Sequence, residues 1–171
     1  MVNPDGTELI ALNNKNIPKL TNKNKYPICV LAECIHGKFD VSIFNIFKLL
    51  RNEPNYFNQD CIFECIAWKL VNKFNGGAIA VLTNTNLCFG DTGDKNSNGV
   101  PDDAERYGGL LGVEFFRLYA EENMKILGDI HFKTIEDYVS NFPVSTNKID
   151  CKTVLDWILI GDPSLRIGGY A

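Results

Sequence analysis

The sequence predicts an α/β fold organised around a parallel pair of strands, and three observations predict it. Tyr26–Ala32 (YPICVLA) and Ala78–Leu82 (AIAVL) are continuous apolar runs of strand length, too short for helices and too apolar for exposed edges. Between them, Cys61–Phe74 (CIFECIAWKLVNKF) gathers Ile62, Phe63, Ile66, Leu70 and Phe74 on one helical face. A strand–helix–strand unit implies a parallel pair with a right-handed crossover. That topology brings Cys34, just past the first strand, and Thr83–Phe89, just past the second, to one sheet end. In open α/β sheets this is the end where ligands bind, because loops diverge there above a rigid backbone.

In chain order, residues 1–25 are rich in Asn and Lys, with a PDG turn at Pro4–Gly6 and a short helix expected around Asn16–Leu20. Gly37 is expected to let the chain turn tightly behind Cys34. Ser42–Leu50 (SIFNIFKLL) has helical spacing, and Arg51–Asn58 is a polar break containing Pro54. Asp60 is placed to cap the 61–74 helix, which Asn75, Gly76 and Gly77 stop. Tyr107–Met124, Thr134–Asn141 and Cys151–Ile160 are then expected as helices. The tail GDPSLRIGGY has turn chemistry in GDPS, and its LRI segment is expected as a last strand.

With 171 residues, 45% hydrophobic and 22% charged, the chain is long enough for one domain with a core. A net charge of -4 and a pI near 5.2 argue against nucleic acid or an anionic membrane as partner, since either favours a basic face. The N-terminus lacks the charged and apolar regions of a signal peptide, and no apolar run reaches spanning length. The six cysteines (Cys29, Cys34, Cys61, Cys65, Cys88, Cys151) are too sparse for a disulfide scaffold and sit mostly among apolar residues. Cys61 and Cys65 are one helical turn apart, but no CxxC or HxxxH completes a zinc set.

Two stretches carry chemistry. In VLAECIHGKFD (Val30–Asp40) a strand-like run ends in Cys34, which is how a reactive thiol is mounted; the stretch by itself is equally compatible with an ordinary packed cysteine. Asp94–Glu105 (DKNSNGVPDDAE) follows the twelve-residue calcium spacing DxNxNGxxDxxE. Asp94, Asn96 and Asn98 supply side-chain oxygens and Gly99 permits the sharp turn. Val100 offers its carbonyl, Asp102 a direct or water-mediated contact, and Glu105 a bidentate carboxylate. The alternative is an acidic, Asn-rich surface loop. As a calcium site its role is structural, because folding around the ion offsets ordering entropy. No apolar helix precedes Asp94, so the loop resembles those of secreted repeat proteins more than a helix–loop–helix hand.

PICVLAECIHGKFD, CIFECIAWKLVNKFNGGAIAVLTNT and ILIGDPSLRI together resemble the second half of gingipain-type cysteine peptidases, peptidase family C25, in the caspase-like clan. The blocks come in family order and span Tyr26–Ile167. The resemblance implies a three-layer α/β/α sandwich with a mainly parallel sheet, incomplete at its N-terminal side, and a Cys–His dyad. Cys34 matches the family nucleophile, and Phe89 falls where the family places an aromatic wall of the substrate pocket. The family histidine lies in an HG motif upstream of the cysteine, and no HG precedes Cys34. His36 comes two residues after Cys34, and His131, in GDIHF, reads as a surface or partly packed residue. Glu33 stands where the family carries a small residue; its carboxylate either opposes thiolate formation or engages substrate.

These readings give one partial caspase-like domain over residues 1–171 with a calcium-loop insertion at 91–106. The expected function is a cysteine-type endopeptidase acting on peptide or protein substrates, with the histidine, and the N-terminal half that carries it, supplied from elsewhere. The alternatives are an inactive, calcium-stabilised peptidase-like binding module and a different cysteine hydrolase using His36 or His131. An extracellular or cell-surface setting is expected from the resemblance and the calcium loop.

Overall fold

The computed structural model describes residues 12, 14–32, 34–39 and 64–169. The expectations for Pro4–Gly6, Glu33, Ser42–Leu50, Arg51–Asn58, Asp60 and Cys61 lie outside the described residues. The described chain is α/β, with strands β1 (Ile28–Leu31), β2 (Ala80–Asn84) and β3 (Trp157–Ile160). Its helices are α1 (Ile66–Val71), α2 (Asp102–Glu105), α3 (Tyr107–Ala120), α4 (Leu127–Asn141) and α5 (Lys148–Asp156). The sheet order is β1-β2-β3. β1 and β2 are parallel, with Ile28 opposite Ala80, and β3 joins β2 antiparallel, with Leu159 opposite Leu82. The sheet is therefore mixed, its parallel pair being the one expected.

Strand alternation sends side chains to two cores. Ala80, Leu82 and Trp157 pack with Leu111, Phe115 and Leu118 of α3 and Leu127, Ile130 and Tyr138 of α4. Val81 faces the other way, onto Ala67 and Leu70 of α1 with Ile17, Cys65 and Ala78. β2 is buried along its whole length, as a strand covered by helices on both faces must be.

Several boundaries differ from expectation: α3 ends at Ala120 rather than Met124, and α4 begins at Leu127 rather than Thr134. Helix α1 begins at Ile66, and Cys65 caps it, its Sγ accepting from the Trp68 N–H at 3.4 Å. Asn75 and Gly77 then take left-handed conformations, as the stop signal predicts, and Asn22 closes this corner by accepting from the Gly77 N–H at 2.8 Å. The segment Cys151–Ile160 divides: α5 ends at Asp156 and the chain passes straight into β3. LRI is not a sheet strand; Arg166 bridges Ile126, and Leu127 and Ile167 exchange main-chain bonds with Leu165 and Lys125 around it. The GDPS turn is present, the Asp162 carboxylate accepting from the Ser164 N–H at 2.8 Å and its hydroxyl at 2.7 Å. Asn16–Leu20 contains a single 3-10 turn at Ile17–Lys19.

Helix α5 is anchored by a buried charge. Asp150 is fully buried. Its carboxylate accepts from Arg106 at 2.8 and 3.4 Å and from the Tyr138 hydroxyl at 2.8 Å. A buried carboxylate is tolerated only when its oxygens are satisfied in this way. The ion pair ties Arg106, the residue after the acidic loop, to the helix that crosses the sheet end.

Candidate active site

The expected juxtaposition at the sheet end is observed. Beyond β1 the chain reverses at Cys34 and runs back across the exit of β2: the Ile35 N–H donates to the Asn86 carbonyl at 3.0 Å and the Gly37 N–H to the Asn84 carbonyl at 2.9 Å. The residue in the left-handed region is Ile35, with φ of 66°. This corrects the expectation that Gly37 makes the turn. Gly37 serves close approach instead, since a Cβ there would lie 2.7 Å from Thr83 Cγ2 and 3.2 Å from the Asn84 oxygen. A β-branched residue in that conformation costs about 1–2 kcal/mol, and strain of this kind concentrates beside functional groups.

The Cys34 thiol is exposed. Its sulfur accepts from the Cys88 N–H at 3.2 Å, and its S–H has the Cys88 carbonyl as acceptor at 3.4 Å. The Cys88 main chain can thus serve either protonation state, carbonyl for thiol and N–H for thiolate. The Cys88 side chain is directed elsewhere: a Cβ on Gly108, at the start of α3, would fall 2.0 Å from its sulfur. Burial, with the nearby Cys34 and Asp103 adding to it, pushes the Cys88 thiol up to about 11. Burial likewise raises Cys29 and Cys65.

Phe89 follows directly and is exposed. Its ring lies 6.5 Å from that of Tyr107, and the Lys152 ammonium of α5 sits 5.5 Å from its centre. Lys152 Nζ donates to the Leu87 carbonyl at 2.5 Å and pairs with the Asp156 carboxylate. Asp156 in turn accepts from the Thr85 N–H at 2.9 Å through its carbonyl and from the Thr85 hydroxyl at 3.3 Å through its carboxylate. The last turn of α5 therefore grips residues 85 and 87. Sequence reasoning missed Cys88, Lys152 and Asp156. The signal for Cys88 was present, because it precedes Phe89 in the loop already placed beside Cys34.

Neither histidine is grouped with the thiol by a described hydrogen bond. The His36 carbonyl accepts from the Ala67 N–H at 3.1 Å, and its ring Nδ1 is shielded from solvent. His131, on α4, is half-buried with Nε2 3.4 Å from the Trp157 carbonyl, and burial lowers its pKa. Glu33 lies outside the described residues.

The acidic loop closes on itself. The Asp94 carboxylate accepts from the N–H groups of Asn98 (3.0 Å) and Gly99 (2.9 Å), and Asn98 Oδ1 accepts from the Val100 N–H at 2.8 Å. Glu105 receives the side-chain amides of Asn96 at 2.9 Å and Asn98 at 2.6 Å, while the Asp102 carboxylate accepts from the Lys95 N–H at 3.1 Å. Gly99 takes φ of 85°, as position 6 of the spacing requires. Among the described residues no three His, Cys, Asp or Glu side chains are gathered in metal-holding geometry.

Exposure and burial order the described cysteines by reactivity. Iodoacetamide at pH 8, with modified peptides identified by mass spectrometry, labels Cys34 ahead of Cys29, Cys65 and Cys88. Because its pKa is raised, Cys88 labelling climbs only as pH approaches about 11. Equal labelling of Cys34 and Cys88 at pH 8 would contradict this order.

The sequence model of peptidase family C25 matches residues 4–168. Comparison with curated protein sequences gives no match. Among solved structures, the Arg-specific cysteine proteinase gingipain R (RGPB) superposes with a TM-score of 0.60 at 17% identity. The superposition covers 90% of this chain and 28% of that one, so the present chain spans little more than a quarter of it. At this identity the likeness establishes the fold. With the family match extending over nearly the whole sequence, the chain belongs to peptidase family C25 and is a cysteine-peptidase-like domain of the gingipain type.

Proposed function

We propose that this domain performs cysteine-type endopeptidase chemistry with Cys34 as nucleophile, and that the histidine of the dyad is supplied from outside the 171 residues. The observation that carries the reading is the exposed Cys34 sulfur at the sheet end, held by the Cys88 N–H and adjoined by Phe89. Support for the placement of the base comes from the sequence, in which no HG motif precedes Cys34, and from His131, whose ring Nε2 lies 3.4 Å from the Trp157 carbonyl. The solved relative also extends well beyond the part this chain covers.

In the proposed reaction the Cys34 thiolate attacks the peptide carbonyl carbon and forms a tetrahedral oxyanion, which the Cys34 N–H helps to hold. Collapse expels the amine, which must take a proton from an acid, and water hydrolyses the thioester. Phe89 forms an apolar wall for the residue before the scissile bond, and Glu33 is positioned by sequence to engage substrate or to oppose thiolate formation. An inactive peptidase-like binding module is the second reading, favoured by the two histidines of this sequence, His36 and His131, neither of which stands in an HG motif before Cys34.

An activated ester separates these readings, because p-nitrophenolate leaves without protonation whereas an amine does not. The chain should release p-nitrophenol from p-nitrophenyl acetate in a burst of one equivalent, with the acetyl group found on Cys34, and the Cys34→Ala variant should show no burst. The same chain should leave peptide amides uncleaved. A burst that survives Cys34→Ala would refute the nucleophile. Cysteine-dependent cleavage of a peptide by the chain alone would refute the external histidine.

We also propose that Asp94–Glu105 binds calcium as a structural ion. The donor set suits a hard cation: carboxylates of Asp94, Asp102 and Glu105, amide oxygens of Asn96 and Asn98, and the Val100 carbonyl. Backbone N–H groups already draw the Asp94 and Asn98 oxygens toward the loop interior. The asparagine amides that meet Glu105 would present their oxygens on rotation. Bound calcium would brace the chain between Phe89 and Tyr107, and it agrees with an extracellular or cell-surface setting. Calcium at a hundredfold excess over Kd should stabilise the domain by about 2.7 kcal/mol, a rise of about 5–10 °C in Tm. EGTA or Glu105→Gln should abolish most of that rise; an equal Tm with calcium and with EGTA would contradict the site.

A further inference from the structure

The Leu87 carbonyl and the Cys88 N–H are the two ends of one peptide group. Lys152 Nζ donates to that carbonyl at 2.5 Å, and that N–H donates to the Cys34 sulfur at 3.2 Å. The result is an unbroken chain, ammonium to carbonyl, through the amide, N–H to sulfur. We propose that Lys152 is a positioning residue for the Cys34 thiolate: its ammonium fixes the Leu87–Cys88 peptide with the N–H toward sulfur and strengthens that N–H as a donor. The inference rests on the reading of Cys34 as nucleophile.

Three observations favour a specific role over an incidental surface contact. First, the lysine is held in place, because the Asp156 carboxylate pairs with it across one turn of α5 and is itself tied to Thr85 at 3.3 Å. Second, both grips fall on the segment between β2 and the thiol's donor: Asp156 on residue 85, Lys152 on residue 87. Third, the ammonium lies 5.5 Å from the Phe89 ring, so one side chain orients the donor and the neighbouring aromatic wall together.

Hydrogen bonds made by a charged donor are roughly twice as strong as neutral ones. Bonds in series polarise one another by about 10–30% each. Because Asp156 offsets the ammonium's field at longer range, the effect travels through the peptide. Its sign is fixed: withdrawing electron density at the carbonyl makes the N–H a better partner for an anionic sulfur than for a neutral thiol.

Other titratable groups surround the thiol loop and must be held constant in any test. They are the Cys88 thiol, Asp103 of α2, which acts on that thiol, Asp156, Tyr107 at the start of α3, and His36 two residues beyond Cys34.

The test is the pH–rate profile of iodoacetamide alkylation at Cys34, followed by peptide mass spectrometry on the intact chain and on Lys152→Met, Lys152→Gln and Lys152→Arg, each checked by circular dichroism. In Lys152→Met the midpoint of the profile should move to higher pH, and the rate on the acidic side should fall about threefold to tenfold. Lys152→Gln, which keeps a neutral donor without the charge, should fall similarly, and Lys152→Arg should recover most of the loss. If Lys152→Met does not fold, Lys152→Gln decides. Profiles that superimpose on the unaltered chain would overturn the inference, as would a uniform loss at every pH with the midpoint fixed, which is the mark of a merely structural contact. If the unaltered chain alkylates Cys34 no faster than its other described cysteines, the nucleophile reading fails, and the role of Lys152 fails with it.

Discussion

The site depends on main-chain pairing that continues after the strands have ended. β1 and β2 stop at Leu31 and Asn84, yet the returning loop keeps bonding to the exit of β2, Ile35 to Asn86 and Gly37 to Asn84. These bonds set the height of Cys34 above the sheet, and that height brings its sulfur to the Cys88 N–H. A loop held only by side chains could not fix a thiol this closely, because each side-chain contact would carry its own rotamer freedom. The left-handed Ile35 is the local cost of the reversal, and buried Thr83 and Asn84 beneath Gly37 keep the loop from relaxing it.

Beneath this sits a sheet covered on both faces, and the antiparallel partner has a consequence for the site. Because β3 follows α5 without a loop, pairing β3 with β2 fixes where α5 ends. Thr85 meets Asp156 directly after Asn84 meets Trp157, so the ladder passes into the clamp without interruption. Farther down the same helix, buried Asp150 holds Arg106. A single nine-residue helix thereby links the sheet register, the thiol loop and the end of the acidic loop. Each depends on the others, since the helix cannot slide without stranding a buried carboxylate.

The strand–helix–strand unit was legible because local and global signals agree there: two apolar runs of strand length, an amphipathic stretch and a Gly pair all favour the same topology. The acidic loop was legible as a pattern because its spacing is tied to backbone geometry, and Gly99 adopts the positive φ that the spacing demands. CKTVLDWILI was misread because no breaker separates its helical and extended halves; pairing with β2 decides the boundary, and that is tertiary information. Cys34 and Phe89 could be placed from sequence, because each lies in the loop that leaves a strand at the same sheet end, but Lys152 could not. It contacts a residue 65 positions away, and only the docking of α5 brings the two together. Gly37 was rightly singled out and wrongly explained, because a sequence does not distinguish a glycine needed for φ from one needed for contact.

The proposed function rests on Cys34 being the sulfur that meets a peptide carbonyl. Treating the chain with a peptidyl acyloxymethyl ketone and locating the adduct by mass spectrometry tests this most directly, since the reagent must be positioned as a substrate before it reacts. The account predicts a single adduct on Cys34, lost in Cys34→Ser. An adduct on Cys88 or Cys151 with Cys34 unmodified would contradict it.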